Sequence, residues 1–298
     1  MRKSARLMAV AAVVAGATVA GSVAAAAATG GLRTVSGEGG NRIGVVQGNG
    51  DANVKEGGLS AGWVLESGNI KQVVLSGNRI GVLEDNGVAW VKEGGLSATW
   101  VRESSNVKQL ALSGNRIGVV QGNGVAWVKE GGLSATWVQE AGNVTDLELS
   151  GNRIGVAKGD GEAYVKEGGL SAAWVNEAGN VKQIRLSGNR IGVLKGDGEA
   201  YVKEGGLSAA WVDEAANVIQ LELSGNRIGV LKDSGQAYVK EGGLSATWVD
   251  EAADVIQIAL SGNRIGVVKD DGVAWVKEGS LSAGWVEVSS RVTGLAFS

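Results

Sequence analysis

An arginine stands at Arg42, Arg79, Arg116, Arg153, Arg190, Arg227 and Arg264, and fourteen residues after each comes a glutamate, at Glu56, Glu93, Glu130, Glu167, Glu204, Glu241 and Glu278. Three residues before each glutamate is an aromatic side chain, at Trp90, Trp127, Tyr164, Tyr201, Tyr238 and Trp275, with Asn53 in the remaining place. A guanidinium offers fixed donors, a carboxylate offers acceptors, and a ring offers a flat apolar face. Together these are the groups that recognise a sugar, its hydroxyls through the charged atoms and its apolar face through the ring. They also have a plain structural use, since Arg and Glu of neighbouring units can pair and a half-buried ring can fill space.

Covalent chemistry is poorly supplied. The 298 residues include no His, no Cys and no Pro. A Ser-His-Asp triad, a Cys nucleophile, an imidazole base and a zinc site of N and S ligands are therefore excluded. Glu66, Glu103, Glu140, Glu177, Glu214 and Glu251 recur in equivalent places, so none is singled out as a glycosidase acid or nucleophile. The Gly159 to Glu162, Gly196 to Glu199 and Asp270 to Gly272 strings lack the alternating ligands of a calcium loop. The expectation is a protein that is not an enzyme and uses no cofactor or metal.

The elements that position the recurring residues come from an internal repeat. The string NRIGV begins at Asn41, Asn78, Asn115, Asn152, Asn189, Asn226 and Asn263, always at 37-residue spacing. Seven units tile residues 41–298 and leave no room there for a linker or second domain. Within the unit from Asn189, turn residues separate four segments of strand length: Arg190 to Lys195, Glu199 to Glu204, Ser208 to Glu214 and Val218 to Leu223.

A two-residue turn at Gly188-Asn189 pairs Ser187 with Arg190, Leu186 with Ile191 and Ile184 with Val193. A second at Asp197-Gly198 pairs Val193 with Val202 and Leu194 with Tyr201. By that count Arg190 and Glu204 project from opposite faces, which would leave Arg to pair with Glu of a neighbouring unit. A sheet apolar on both faces must be sandwiched, and identical sheets sandwiched by their own copies make a ring. The fold expected is all-β, a seven-bladed β-propeller of 37-residue, four-stranded repeats. Val292 to Phe297 matches an innermost strand but no NRIGV follows it, whereas Val35 to Gly40 is a poor strand before Asn41. The C-terminal strand should therefore complete the first blade and close the ring.

The repeats predict two unequal rims. One carries the same residues in every unit, as at Asn189, Arg190, Lys203, Glu204, Gly205, Gly206 and Ser208, while the other, near Gly196 to Glu199 and Asp213 to Asn217, varies. A further ring per unit, at Trp63, Trp100, Trp137, Trp174, Trp211, Trp248 and Trp285, is expected on the outer strand as packing.

Ahead of the repeats, Arg2, Lys3 and Arg6 precede an uncharged Ala/Val/Gly run from Leu7 to about Ala28. Residues 1–28 read as a signal peptide cleaved near Ala28, with 29–40 a short lead, so the mature protein is expected to be secreted and not membrane-embedded. A retained N-terminal anchor is the weaker reading, because Ala and Gly dominate the run. Cleavage takes the basic residues from 28 to 25 against 31 acidic ones, about −6 in all, which argues against nucleic acid as a partner. Without cysteine, stability outside the cell must come from packing alone.

The order W-V-x-E, then V-x-x-L-x-L-S-G-N-R-I-G-V, then D-G-x-A-Y-V-K-E-G resembles the tectonin and tachylectin type of repeat over all seven units. Where tectonin units usually carry Trp-Gly on the second strand, this chain has Ile-Gly, as at Ile191-Gly192. The resemblance implies a lectin-like propeller that binds sugars at or between blades. The function expected is an exported, monomeric, multivalent carbohydrate-binding protein that gains avidity on a glycan-bearing surface. The alternative is a non-catalytic scaffold, at the cell surface or outside the cell, that binds a protein partner through its varied rim or a face of the disc.

Overall fold

The computed structural model describes residues 41–298. The expected signal peptide, its cleavage point and the lead lie outside the described residues.

Each NRIGV unit contributes a second, third and outer strand to one blade, and then the innermost strand of the next. Seven four-stranded antiparallel sheets result. In the first blade the order is Val292–Phe297, Arg42–Gln47, Ala52–Glu56 and Val64–Ser67. The last strand of the chain thus supplies the first blade's innermost strand, pairing Ile43 with Phe297 and Val45 with Leu295. The ring closes as the sequence predicts. In the fifth blade the strands are Val181–Ser187, Arg190–Lys195, Ala200–Glu204 and Val212–Ala215.

The first hairpin has the expected register, with Ser187 opposite Arg190, Leu186 opposite Ile191 and Ile184 opposite Val193. The second hairpin differs by one residue: Val193 lies opposite Tyr201, and Gly192 opposite Val202. The cause is the turn. The Lys195 amide donates to the Glu199 carbonyl at 2.8 Å, so three residues, Gly196, Asp197 and Gly198, form the loop. Gly198 takes φ 93°, a conformation only glycine adopts without strain, which gives the three-residue hairpin with a bulge in place of a two-residue turn. A one-residue slip reverses facing. Arg190 and Glu204 therefore lie directly opposite each other on the same face.

The outer strand also starts later than expected. Residues 205–211 form a loop in which the Ala209 amide donates to the Gly206 carbonyl. Trp211 and its six counterparts accordingly sit in the loop just before the outer strand, half-buried, and not within it.

The core is formed between blades. Leu194, Ala200 and Val202 of the fifth blade pack with Leu221, Leu223, Ile228 and Val230 of the sixth. The glycine of NRIGV permits this approach, because a Cβ on Gly192 would lie 2.8 Å from Leu221 Cδ2 and 3.1 Å from Leu223 Cδ1 of the next blade. The glycine is thus a packing requirement where the blades approach most closely, while a Cβ on Gly44 would be tight at 3.2 Å.

Candidate functional site

The seven arginines are buried, and each holds two blades together. Arg42 Nη2 bonds Glu56 of its own blade at 3.0 Å and donates to the Gly94 carbonyl of the next blade at 2.6 Å. Arg79 does the same with Glu93 and Gly131, Arg116 with Glu130 and Gly168, and Arg153 with Glu167 and Gly205. Arg190 joins Glu204 and Gly242, Arg227 joins Glu241 and Gly279, and Arg264 joins Glu278 and, around the closure, Gly57. Exposure is uneven within the pair: the Arg190 side chain is 3 % exposed and that of Glu204 is 39 %. What the identical rim offers solvent is therefore carboxylate edges.

A second ion pair crosses each junction. Lys92 donates to Glu66 on the preceding blade's outer strand and to the Leu96 carbonyl, and its ammonium stands 4.9 Å from the Trp100 ring. The same set recurs as Lys129 with Glu103, Lys166 with Glu140, Lys203 with Glu177, Lys240 with Glu214 and Lys277 with Glu251. Burial pushes the carboxyls of Glu103, Glu214 and Glu251 up, against the opposing pull of their lysine bonds. In the first blade Lys55 has the Leu59 carbonyl at 2.5 Å and the Trp63 ring at 4.7 Å, while Val288 takes the place of the glutamate.

The other aromatic set is not gathered with the arginines. Tyr201 lies three residues from Glu204 on the same strand, roughly 10 Å away, and the odd spacing turns the two side chains to opposite faces. Tyr201 packs on the cluster that includes Ala157, Ala163 and Val165 of the preceding blade. Trp90 packs likewise on Val46, Ala52 and Val54, and its Nε1 donates to Glu84 at 3.0 Å. Trp127, Tyr164, Tyr238 and Trp275 repeat this half-buried placement. Partial burial, with Asp213, Glu199 and Asp197 nearby, holds the Tyr201 hydroxyl above the usual phenol range.

The innermost strands carry a polar system that repeat-level reading missed. Gln109 donates to the Leu147 carbonyl at 2.8 Å and accepts from the Leu147 amide at 3.0 Å, stapling one innermost strand to the next. Gln72, Gln220 and Gln257 make the same pair of hydrogen bonds, one donated and one accepted, to the innermost strand of the next blade. Asp146 replaces the amide in the fourth blade. Two residues further along these strands the sequence reads Val74, Ala111, Glu148, Arg185, Glu222, Ala259 and Ala296. Arg185 is buried and reaches Glu222 at 3.2 Å, Asp146 at 3.4 Å and Glu148 at 3.8 Å. The signal was the appearance of charge at a position otherwise filled by Val or Ala. Among the described residues no group of three His, Cys, Asp or Glu side chains is placed to hold a metal ion, and no helix is long and apolar enough to cross a membrane.

Solved structures similar to this one are propellers of low sequence identity. Prp20p from Saccharomyces cerevisiae matches with a TM-score of 0.63 at 10 % identity, covering 86 % of this chain and 88 % of that one. PorZ, a surface component of the type-IX secretion system of Porphyromonas gingivalis, matches at 0.61 and 16 % identity over 87 % of this chain and 38 % of its own. Hsv2 from Kluyveromyces lactis matches at 0.58 and 14 % identity, over 81 % and 92 %. At such identities the likeness establishes the fold. No protein-family model matches the sequence, and no curated protein is similar to it.

Proposed function

We propose that this chain is an exported, non-catalytic propeller that serves as a protein-interaction scaffold through its varied rim. The observation that carries the reading is the division of labour between the rims. On the identical rim the repeated guanidiniums are committed to junctions, so repetition there is explained by closing the ring. Exposed residues that differ between units lie at the hairpin loops and innermost-strand starts of the other rim, and along the outer strands at Leu65, Arg102, Gln139, Asn176, Asp213, Asp250 and Glu287. Structural neighbours include yeast Prp20p, whose structure was described with binding to Gsp1p and histones and also in complex with Kap60. Export is supported by Arg2, Lys3 and Arg6 ahead of an uncharged run, and the lack of a catalytic role by the absence of His and Cys.

A carbohydrate-binding role retains one observation, a half-exposed Trp or Tyr in six of seven blades. Two assays separate the readings. A scaffold gives saturable, micromolar binding of members of a displayed decapeptide library, altered by loop substitutions such as Asp197→Lys, and no change in tryptophan fluorescence with a panel of simple sugars. Sugar-dependent fluorescence together with glycan-array binding, and no selectable peptide, would reverse the assignment.

A further inference from the structure

The second residue of each innermost strand is exposed on the varied rim, and around the ring these residues read Thr293, Lys71, Lys108, Thr145, Lys182, Ile219 and Ile256. The two isoleucines are 50 % and 54 % exposed and stand on neighbouring blades. Nothing in the ring's construction asks for them, since lysine and threonine serve at the other five positions. An exposed β-branched pair beside polar equivalents exposes apolar surface to water without a compensating contact in the ring.

Counted over the whole inner annulus the charge is basic, although Asp254 stands two residues before Ile256. Lys71, Lys108 and Lys182 share its ring, Lys108 also donating to the Val144 carbonyl at 2.8 Å. At the preceding tight-turn position, where five blades have Asn, the seventh blade has Asp254 and the first has exposed Arg291. The inner annulus is thus net basic on a chain whose formal charge is −3. The adjoining hairpin loops carry Asp85, Asp160, Asp197, Asp233, Asp270 and Asp271, flanked by Lys158, Lys195, Lys232 and Lys269, and they bond the tight turns, as the Asp233 amide does the Asn217 carbonyl. A negative segment is attracted to Lys182 on the blade before Ile219 and to Arg291 on the blade after Ile256, the two cations that flank the isoleucines. The chain's own residues 1–40 have the wrong sign for this place, with Arg2, Lys3, Arg6 and Arg33 against Glu38.

We infer that the axial mouth of the varied rim docks a short acidic peptide segment of another protein, with an apolar side chain seated on Ile219 and Ile256 and carboxylates facing Lys71, Lys108 and Lys182. This rests on the scaffold reading and specifies where and what it binds.

The test is fluorescence anisotropy with a fluorescein-labelled decapeptide of alternating Glu and Leu, against a Lys and Leu peptide of the same length. The acidic peptide should bind one per chain, weaken as salt rises, and bind about tenfold more weakly to the Ile219→Ser, Ile256→Ser double variant and to Lys182→Glu. These positions are exposed, so the variants should keep the parent melting temperature. Equal binding to parent and variants, or equal binding of the two peptides, overturns the proposal. So does a concentration-dependent dimer in sedimentation that the double variant abolishes, which would assign the patch to a second copy of this chain. Library peptides that bind the double variant as well as the parent, yet respond to Asp197→Lys, would leave the scaffold reading standing while this site falls.

Discussion

Val288 stands in the outer-strand place next to Lys55 from which, at the six other junctions, a glutamate reaches the buried lysine of the following blade. Trp63 touches both residues: its Nε1 donates to the Val288 carbonyl at 3.2 Å, and its ring lies under the Lys55 ammonium. Lys55 is 2 % exposed, and among the described residues no carboxylate forms an ion pair with it. Burial therefore pushes its ammonium below the usual lysine range, with Arg264 acting in the same direction and Glu278 opposing. This is the junction where the first and last units of the chain meet.

Restoring the missing partner should strengthen that junction. Val288→Glu is expected to add about 1 to 2 kcal/mol, read as a rise of roughly 2 to 4 °C in melting temperature. The pH dependence gives an independent check. A lysine with a lowered native pKa binds fewer protons folded than unfolded in the window between that pKa and about 10.4. Parent stability should therefore rise with pH in that alkaline window and be flat below it. Val288→Glu should remove the rise, and urea midpoints across the window measure it.

The Arg and Glu of the identical rim should be unequal under substitution. Arg190→Ala removes the bond to Glu204 and also leaves the Gly242 carbonyl of the next blade without its donor, and is expected to cost roughly 2 to 4 kcal/mol. Glu204→Ala removes a half-exposed carboxylate and leaves the inter-blade bond in place, so about 0.5 to 1.5 kcal/mol is expected. Chemical denaturation of the two variants checks the ratio. Equal costs would mean that the intra-blade pair, not the link between blades, carries the stabilisation.

The ring, its four-stranded blades and its closure were legible because each rests on a count: a 37-residue period, alternation within strands, and one strand too many at the end. The facing of Arg190 and Glu204 was not, because Asp197-Gly198 reads equally as a two-residue or a three-residue loop, and the choice reverses every side chain beyond it. The late start of the outer strand was hidden for a different reason. Lys203 bonds the Leu207 carbonyl and holds residues 205–211 as a loop, an interaction with no local sequence pattern. The Arg185 cluster was legible in principle, since charge appears where the repeat has Val or Ala, but averaging over repeats conceals single departures.

The glycine of NRIGV gives a graded series within one molecule. A Cβ on Gly44 would have its nearest neighbours at 3.2 Å, on Gly192 at 2.8 Å, and on Gly266 at 2.5 Å from Phe297 Cζ and 2.6 Å from Leu295 Cδ2. Alanine should cost least at Gly44, more at Gly192 and most at Gly266, spanning about 1 to 3 kcal/mol. Phe297→Leu should recover part of the loss at Gly266 and none at Gly192. Melting temperatures of the three single variants and the two combinations test both statements.

Arg185 carries the charge balance of the central strands. Arg185→Ala leaves Asp146, Glu148 and Glu222 buried together without the guanidinium, for an expected cost of about 3 to 5 kcal/mol at neutral pH. The carboxylates would then hold protons more tightly folded than unfolded, so the variant should regain stability as pH falls from neutral towards about 4.3. Adding Glu222→Ala should cost less than the two changes summed, because the second removes a charge that the first left unpaired. A strictly additive double variant, or no recovery at acid pH, would mean that Arg185 acts by packing alone.

The last prediction concerns the strand Val292–Phe297. It contributes the whole innermost strand of the first blade, and Phe297 is fully buried against Gly266 of the seventh. Removing residues 291–298 should expose the edge of Arg42–Gln47, open the junction between the seventh and first blades, and replace one sharp unfolding transition with a broad one. The physical reason is that each blade is stabilised by two neighbours, and an open array loses that mutual support first at its ends. A peptide of residues 291–298 added in excess should restore part of the cooperativity by occupying the vacated edge, which separates loss of the clasp from a general folding defect. A truncated protein that melted at the parent temperature with the parent sharpness would show that the ring does not depend on this closure.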